Sequence, residues 1–164
     1  TSITALRLEG IAASVAARRD ALRPQLTGEV SVLDDADSRR LWAEIREVAA
    51  LVPSEAIVWR LSVPPKAGAD VARTIQSQVD GEVLFDWAGG LLWVSLAGPD
   101  PRAELVRAAI GSCGGHATLV RAPLAVRRSV AVFQPQAGAV AALSRRVKEA
   151  FDPAGVLNPG RMVL

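Results

Sequence analysis

Few side chains of this sequence are suited to proton transfer or nucleophilic attack. His116 is the single histidine and Cys113 the single cysteine of the 164 residues. His116 follows two glycines and enters an apolar stretch, which favours a structural histidine at a strand end, with acid–base catalysis as the alternative. Cys113 stands at the predicted end of a helix, and one cysteine provides neither a disulfide nor a Cys-based metal site. We expect no metal centre in this chain.

Short motifs that bind phosphate or carry a nucleophile are absent from the sequence. It contains no Walker-type loop, no Gly-x-Gly-x-x-Gly dinucleotide fingerprint and no Gly-x-Ser-x-Gly elbow. The residues by themselves therefore specify no reaction, and any site must be assembled from side chains that the fold brings together.

Positive charge is carried almost entirely by arginine, with 17 arginines against two lysines. Four Arg-Arg pairs are interspersed with acidic residues, a pattern typical of solvated helix faces. A nucleic-acid surface would combine clustered positive charge with stacking aromatics, but tyrosine is absent and phenylalanine occurs three times. The composition therefore argues against nucleic acid as a partner.

Length and composition are those of one folded domain. Half of the residues are hydrophobic, 22% are charged and the net charge is +2, which disfavours disorder. A membrane helix needs about 20 consecutive apolar residues, whereas the longest uncharged stretch, residues 129–144, has Gln134, Pro135 and Gln136 in its middle. We expect a soluble domain without an integral membrane segment, and the cysteine content fits a cytoplasmic location.

The middle of the chain alternates strand and helix signals in the order of a split βαβ unit. Two glycines after Ala88 indicate a hairpin, because glycine tolerates positive φ. The order β-α-β-β-α-β predicts an α+β fold of ferredoxin-like type, an antiparallel sheet with helices on one face. The predicted elements are a strand over 56–63, a helix over 67–79, strands over 83–87 and 91–96, a helix over 102–113 and a strand over 117–121.

The flanking segments are predicted to extend this core. An N-terminal βαβα unit would have strands over 3–8 and 29–33, a helix over 11–26 and a second helix that Asp37 or Ser38 caps. After the core we expect an irregular segment over 124–135, which has proline at both ends, a helix over 137–151 and an irregular tail over 154–164.

Tryptophan is the most frequent aromatic residue of the chain. Trp42 lies on the apolar stripe of a predicted helix and is expected in a core. Trp59, Trp87 and Trp93 fall on neighbouring predicted strands. Cross-strand packing is the favoured interpretation for these three, and an aromatic pocket is the alternative.

The segment from Phe151 to Arg161, FDPAGVLNPGR, is unusually specific for the end of a chain. Taken by itself, it is a helix stop followed by a tail that packs on the domain. In the sharper interpretation, the Asn158 amide, which both donates and accepts, faces a ligand together with the rigid backbone of Pro159 and Gly160.

This tail resembles the C-terminal end of FAD-linked oxidases of the vanillyl-alcohol-oxidase and D-lactate dehydrogenase type. More narrowly, the chain resembles the C-terminal domain of the FAD-binding E subunits of bacterial glycolate oxidases. The stretches that carry this likeness are LRLEG at 6–10, LW at 41–42, VWRLSVPP at 58–65, DWAGG at 86–90 and GGHATLVRAP at 114–123. Together with the tail they follow one another over nearly the whole chain.

The resemblance implies that residues 1–164 form a domain that covers the isoalloxazine of FAD and helps to build the substrate site. An N-terminal FAD-binding domain would lie outside this chain, so FAD would be held by a longer parent and not by this fragment alone. The parent would oxidise glycolate or a similar 2-hydroxy acid to the 2-oxo acid by hydride transfer to the flavin.

The resemblance also implies site residues. Arg60 is the candidate for the substrate side, because its planar guanidinium can bind a carboxylate bidentately. His116 is a second catalytic candidate and Arg121 a candidate for cofactor binding. The tail positions that match the family are expected on the flavin side; they are Asn158, Pro159, Gly160 and Arg161.

One motif of the family is missing from this chain. Relatives that act on D-2-hydroxy acids often carry a His-x-Gly-Asp-Gly-Asn-x-His metal motif, which the sequence lacks and which the paralogous flavin subunit of the complex is expected to carry. The alternative function is therefore a non-catalytic subunit-interaction or electron-relay module, and a free-standing small-molecule sensor is a third. Expected partners are the chain's own N-terminal FAD-binding domain, the paralogous flavin subunit and an iron–sulfur subunit, with peripheral attachment at the inner membrane through the complex as an alternative location.

Overall fold

The computed structural model describes residues 2–52 and 55–159, which fold into two compact units, Thr1–Ala50 and Leu51–Leu164. Length and composition do not reveal this division. The helices are α1 (Ala12–Leu22), α2 (Asp35–Arg46), α3 (Gly68–Gln76), α4 (Ala103–Gly111), α5 (Leu124–Ser129) and α6 (Gly138–Phe151). The strands are β1 (Ile57–Ser62), β2 (Gly81–Asp86), β3 (Leu91–Leu96) and β4 (His116–Arg121).

The second unit is built around a four-stranded antiparallel sheet with the strand order β2-β3-β1-β4. The chain forms it in the order β1-α3-β2-β3-α4-β4, so the two central strands, β1 and β3, are brought together from separate halves of the motif. This confirms the predicted α+β fold with a ferredoxin-like β-α-β-β-α-β core.

One face of the sheet is covered by α3 and α4. Side chains alternate between the faces of a strand, and β1 directs Trp59 into the core, where it has no exposed surface. Both helices present apolar residues four positions apart to the same core, because residues at i and i+4 share a helix face. The helix residues of this core are Val71, Ala72 and Ile75 of α3 and Val106 and Ile110 of α4.

The segment after β4 contains a helix that the sequence analysis did not predict. We expected residues 124–135 to be irregular, but α5 forms over Leu124–Ser129. Pro123, directly before it, is compatible with a helix start because a proline removes only an N–H that the first turn leaves unpaired. Val126 and Val130 pack against the core and supply the tertiary support that the local sequence does not reveal.

The residues after α5 cover the outer edge of β4. The amide of Leu119 donates to the carbonyl of Val132 at 2.8 Å, and the amide of Ala117 donates to Oε1 of Gln134 at 3.4 Å. These bonds partner the edge of the strand, which would otherwise be open to pairing with another chain.

The first unit contains α1 and α2, but the two strands predicted for it do not form. Residues 3–8 and 29–33 belong to no strand, and Ile3 is 92% exposed. A strand is stabilised by hydrogen bonds to a neighbouring strand, and apolar alternation by itself does not supply that neighbour. The start of α2 also differs from expectation, since Asp34, not Asp37 or Ser38, caps it by accepting from the amide of Asp37 at 2.8 Å.

The C-terminal part follows the predicted pattern where it is described. α6 spans Gly138–Phe151, and residues 152–159 form turns and bends without a regular element. Among the residues that the structure describes, no helix has the length and apolarity needed to cross a lipid bilayer.

Candidate functional site

The sheet face opposite α3 and α4, here called the second face, carries a mixture of aromatic and polar residues. The strand register arranges them in rows across the sheet. One row runs Leu84, Trp93, Arg60, Thr118 and the next runs Asp86, Leu91, Ser62, His116. The chemistry of this face therefore depends on what surrounds Arg60, at the middle of the first row.

The Arg60 guanidinium lies close to two indole rings. Its guanidinium carbon is 5.6 Å from the ring centre of Trp87 and 6.0 Å from that of Trp93, which is cation–π distance. Within residues 2–52 and 55–159, Arg60 has no ion pair and no hydrogen bond to another side chain or to a carbonyl. A guanidinium has five N–H donors, so this cation keeps its capacity to bind an anion.

The loop that carries Trp87 has an unusual backbone. Trp87 and Ala88 have φ of 52° and 53°, a region that non-glycine residues rarely adopt. The carboxylate of Asp86 accepts from the Trp87 amide at 2.7 Å. A Cβ on Gly68, at the start of α3, would collide with the carbonyl oxygen of Gly89. Close backbone packing and the Asp86 bond thus fix the backbone of this loop, and Trp87 itself is 59% exposed.

His116 lies in the row next to Arg60, on the same face. It is exposed and stands opposite Ser62 across the β1–β4 ladder. Diagonal neighbours of this kind are separated by about 7–8 Å in a sheet. A Cβ on Gly115, the preceding residue, would lie 2.5 Å from the Ser62 carbonyl oxygen, so a glycine is needed there for β4 to start beside β1. The fold therefore brings the two predicted catalytic residues, Arg60 and His116, to one surface.

Arg121 has a different environment. Its Nε donates to the carbonyl of Ala56 at 2.9 Å, its Nη1 to that of Val52 at 3.3 Å and its Nη2 to that of Leu51 at 2.6 Å. The side chain thereby ties the segment before β1 to the end of β4. A role of Arg121 in cofactor binding stays a prediction.

The predicted tail residues lie beyond a charged pair at the end of α6. Lys148 pairs with Asp152, whose two carboxylate oxygens accept from the amides of Val156 and Leu157 at 2.9 Å each. The hydrogen bond from Lys148 lowers the pKa of the Asp152 carboxyl most, burial opposes it, and the two amides add to the lowering. Asn158 follows, with φ of 49°.

Asn158 and Pro159 are exposed, while Gly160 and Arg161 lie outside the described residues. In the part of the chain that the structure describes, no hydrogen bond joins these tail residues to Arg60 or His116. Their assignment to cofactor binding stays a prediction.

Sequence reasoning missed two parts of this arrangement. Trp87 and Trp93 both lie at cation–π distance from Arg60, a contact that the sequence did not predict. Trp59 is fully buried in the core, in line with the packing interpretation. The Lys148–Asp152 pair could have been recognised from its i, i+4 spacing at a helix end. In the described ranges no group of three or more His, Cys, Asp or Glu residues is arranged to hold a metal ion.

Two comparisons with known proteins found similarities to this chain. Residues 133–162 match the family model described as FAD linked oxidases, C-terminal domain. The chain is 30% identical over 158 residues to glycolate oxidase subunit GlcE of Escherichia coli (strain K12), which covers 96% of this chain and 38% of that protein. The chain thus spans well under half the length of this relative. The comparison with solved structures found no match for this chain. Over residues 133–162 the chain is therefore similar to the C-terminal domain of FAD-linked oxidases.

Proposed function

We propose that this chain forms the substrate-side wall of a flavin-dependent oxidase that converts a 2-hydroxy acid, glycolate first of all, into the 2-oxo acid. The observation that carries the proposal is Arg60, a cation at cation–π distance from two indole rings and without an anionic partner in the described residues. The similarity to a glycolate oxidase subunit supports glycolate as the first substrate to test.

The second face of the sheet fits a flavin and a small acid. Trp87 and Trp93 offer aromatic surface complementary to a planar ring system, and Arg60 offers positive charge for a carboxylate. Bound FAD supplies the two-electron acceptor for the hydride that leaves the substrate α-carbon. Asn158 and Pro159 are the described tail residues that we assign to the flavin side.

Arg60 and His116 take complementary roles in this proposal. Arg60 binds the substrate carboxylate through paired N–H donors and so orients the hydroxyl-bearing carbon. As the α-carbon loses its hydride, the hydroxyl proton passes to the imidazole of His116 and the carbon–oxygen double bond forms. One C–H and one O–H bond break, and two electrons and two hydrogens leave the acid, which balances the oxidation.

The role of Arg60 is tested in the full-length oxidase with FAD. Arg60→Ala should raise the KM for glycolate about 10- to 100-fold, since a hydrogen bond to a charged group contributes about 1.5–3 kcal/mol. Arg60→Lys should recover part of the loss, because it restores the charge but not the paired donors. Steady-state kinetics of the three proteins measure both effects.

Arg73→Ala is the matched control, since Arg73 is an exposed arginine of α3 that pairs with Asp70. Its KM should stay within about twofold of the wild-type value, because exposed pairs contribute little. A KM for Arg60→Ala equal to that of Arg73→Ala would contradict the assignment of Arg60 to the substrate.

A second candidate function is contact with other subunits of an oxidase complex. α6 exposes apolar side chains along one stripe, and Phe151 at its end is 82% exposed. Exposed apolar patches of this kind mark interaction surfaces. The relative is named as a subunit of glycolate oxidase, which is consistent with such a surface.

Leu143→Glu separates the two functions, because it places a charge in the exposed stripe of α6 and changes no residue of the rows around Arg60. If α6 only contacts another subunit, co-purification with partner subunits should fall while the KM of any remaining complex is unchanged. A raised KM with intact co-purification would contradict an interaction role for this stripe.

A further inference from the structure

The charged pair at the end of α6 holds one tail residue at both of its backbone polar groups. Lys148 and Asp152 lie one helical turn apart and form an ion pair, and Asp152 is only 6% exposed. Oδ2 of Asp152 accepts from the Leu157 amide at 2.9 Å, while Nζ of Lys148 donates to the Leu157 carbonyl at 3.0 Å. Leu157, the residue directly before Asn158, is thus held through its N–H and its C=O.

The second oxygen of Asp152 is used as well. Oδ1 accepts from the Val156 amide at 2.9 Å. The carboxylate therefore holds two consecutive tail amides, and the chain leaves this clamp into Asn158 with φ of 49°, a conformation that asparagine accepts more readily than most residues.

An ordinary helix stop does not explain this arrangement. A carboxylate at a helix C-terminus is disfavoured by the helix dipole, and a C-cap serves carbonyls of the last turn. Asp152 instead accepts from amides four and five residues further along, and Lys148 both neutralises it and reaches the tail. The contacts serve the tail more than the helix.

We infer that Lys148 and Asp152 are positioning residues, which set the direction of Asn158 toward the bound cofactor. This inference rests on the proposed function, in which the tail lies on the flavin side. Neither side chain needs to touch substrate or flavin. Their effect is transmitted through the backbone of Val156 and Leu157.

The test uses the full-length protein with FAD and two variants. Asp152→Asn has nearly the same shape, but its amide nitrogen cannot accept, so one of the two tail N–H groups loses its partner. Lys148→Met keeps an unbranched stem and removes both contacts of Nζ. Glu149→Gln is the matched control, since it neutralises a neighbouring carboxylate of α6 for which the described residues show no ion pair.

Hydrogen exchange of the Val156 and Leu157 amides reads out the clamp directly. Both variants should raise exchange there on the order of 10-fold, and Glu149→Gln should not. The shape of the visible flavin absorption band should change in both variants, and kcat for glycolate should fall on the order of 10-fold with KM within about twofold, because misplacement of a supporting group lowers the rate of an oriented reaction.

Two results would overturn the inference. Unchanged exchange at both amides would show that the pair does not hold the tail. Faster exchange with a flavin spectrum and kcat like those of Glu149→Gln would make the clamp a purely structural helix stop. If Asp152→Asn fails to fold, Lys148→Met tests the inference through the same readouts. Failure of the proposed function looks different, since the wild-type protein itself would then bind no FAD or oxidise no 2-hydroxy acid.

Discussion

Two arginine–tryptophan clusters lie on opposite faces of one strand. On the covered face, the Arg107 guanidinium is 5.5 Å from the ring centre of Trp59. On the second face, Arg60, the next residue of β1, lies beside Trp87 and Trp93 at similar distances. The chain therefore contains two arginine–tryptophan contacts, and the neighbouring β1 residues Trp59 and Arg60 each contribute to one of them.

The clusters differ in how their polar groups are satisfied. Trp59 is fully buried and its Nε1 donates to the Pro101 carbonyl at 2.8 Å, while Arg107 donates to the carbonyls of Ala131 and Phe133. Arg60 has no such acceptor in the described residues. Arg107 therefore binds the protein's own backbone through Nη2, while its buried Nε has no partner in the described residues. The donors of Arg60 are those that the proposed function assigns to a substrate.

Both arginines are half-buried. Desolvation lowers the pKa of Arg107, although the group stays charged because arginine titrates far above neutral pH. A cation in that position is tolerated because carbonyls and an indole ring surround it. Under the proposed function, the contact on the second face binds a ligand, whereas the contact on the covered face supports the fold.

The largest difference between the clusters should appear in the free energy of unfolding. Trp59→Ala should lower it by about 3–5 kcal/mol, because it removes a fully buried indole and leaves a cavity. Trp87→Ala, at a ring that is 59% exposed, should lower it by less than about 1 kcal/mol. Urea unfolding followed by circular dichroism measures both, and equal losses would contradict the distinction between the two faces.

Substitutions of the two arginines should differ less in their effect on the free energy of unfolding. Arg107→Met should lower the free energy of unfolding by about 1–2 kcal/mol, since it leaves the carbonyls of Ala131 and Phe133 without their charged donor. Arg60→Met should change it by no more than about 0.5 kcal/mol, because no hydrogen bond is lost within the described residues. Urea unfolding measures both values. A larger loss of unfolding free energy for Arg60→Met than for Arg107→Met would indicate that Arg60 stabilises the fold and does not serve a ligand.

The smallest effect is a dependence on pH, which distinguishes both clusters from the pair at the end of α6. Within the described residues neither arginine of the clusters pairs with a carboxylate, whereas the pKa of Asp152 is lowered chiefly by Lys148. A carboxyl whose pKa is lower in the folded state stabilises the fold above its unfolded pKa, about 3.9, and this contribution is lost as the pH falls through the folded value. The gap in unfolding free energy between wild type and Asp152→Asn should therefore shrink below pH ~4. If this difference in unfolding free energy stays constant down to the pH at which Asp152 titrates in the folded protein, the pair contributes nothing to stability through its charge.

Much of the second unit could be predicted from local pattern. The strands over β1 to β4, the helices α3, α4 and α6, and the ferredoxin-like order all follow from alternation, helical spacing and glycine positions. The absence of the two N-terminal strands and the presence of α5 could not be predicted in this way. In both cases contacts with the rest of the fold, and not the local pattern, decide whether the element forms. Residues 3–8 have the alternation but no neighbouring strand, and residues 124–129 lack a strong pattern but gain support from core contacts of Val126.

The candidate site divides in the same way. Local pattern was enough to place Arg60 in a strand, His116 at a strand end and a specific tail after α6, because periodicity and motif spacing are properties of short stretches of chain. Three features needed the folded chain: Arg60 and His116 share one face, Trp87 and Trp93 flank the cation, and Asp152 holds the tail. Register and unused donors arise from contacts between segments far apart in sequence, so the order of residues along the chain does not reveal which groups remain without a partner.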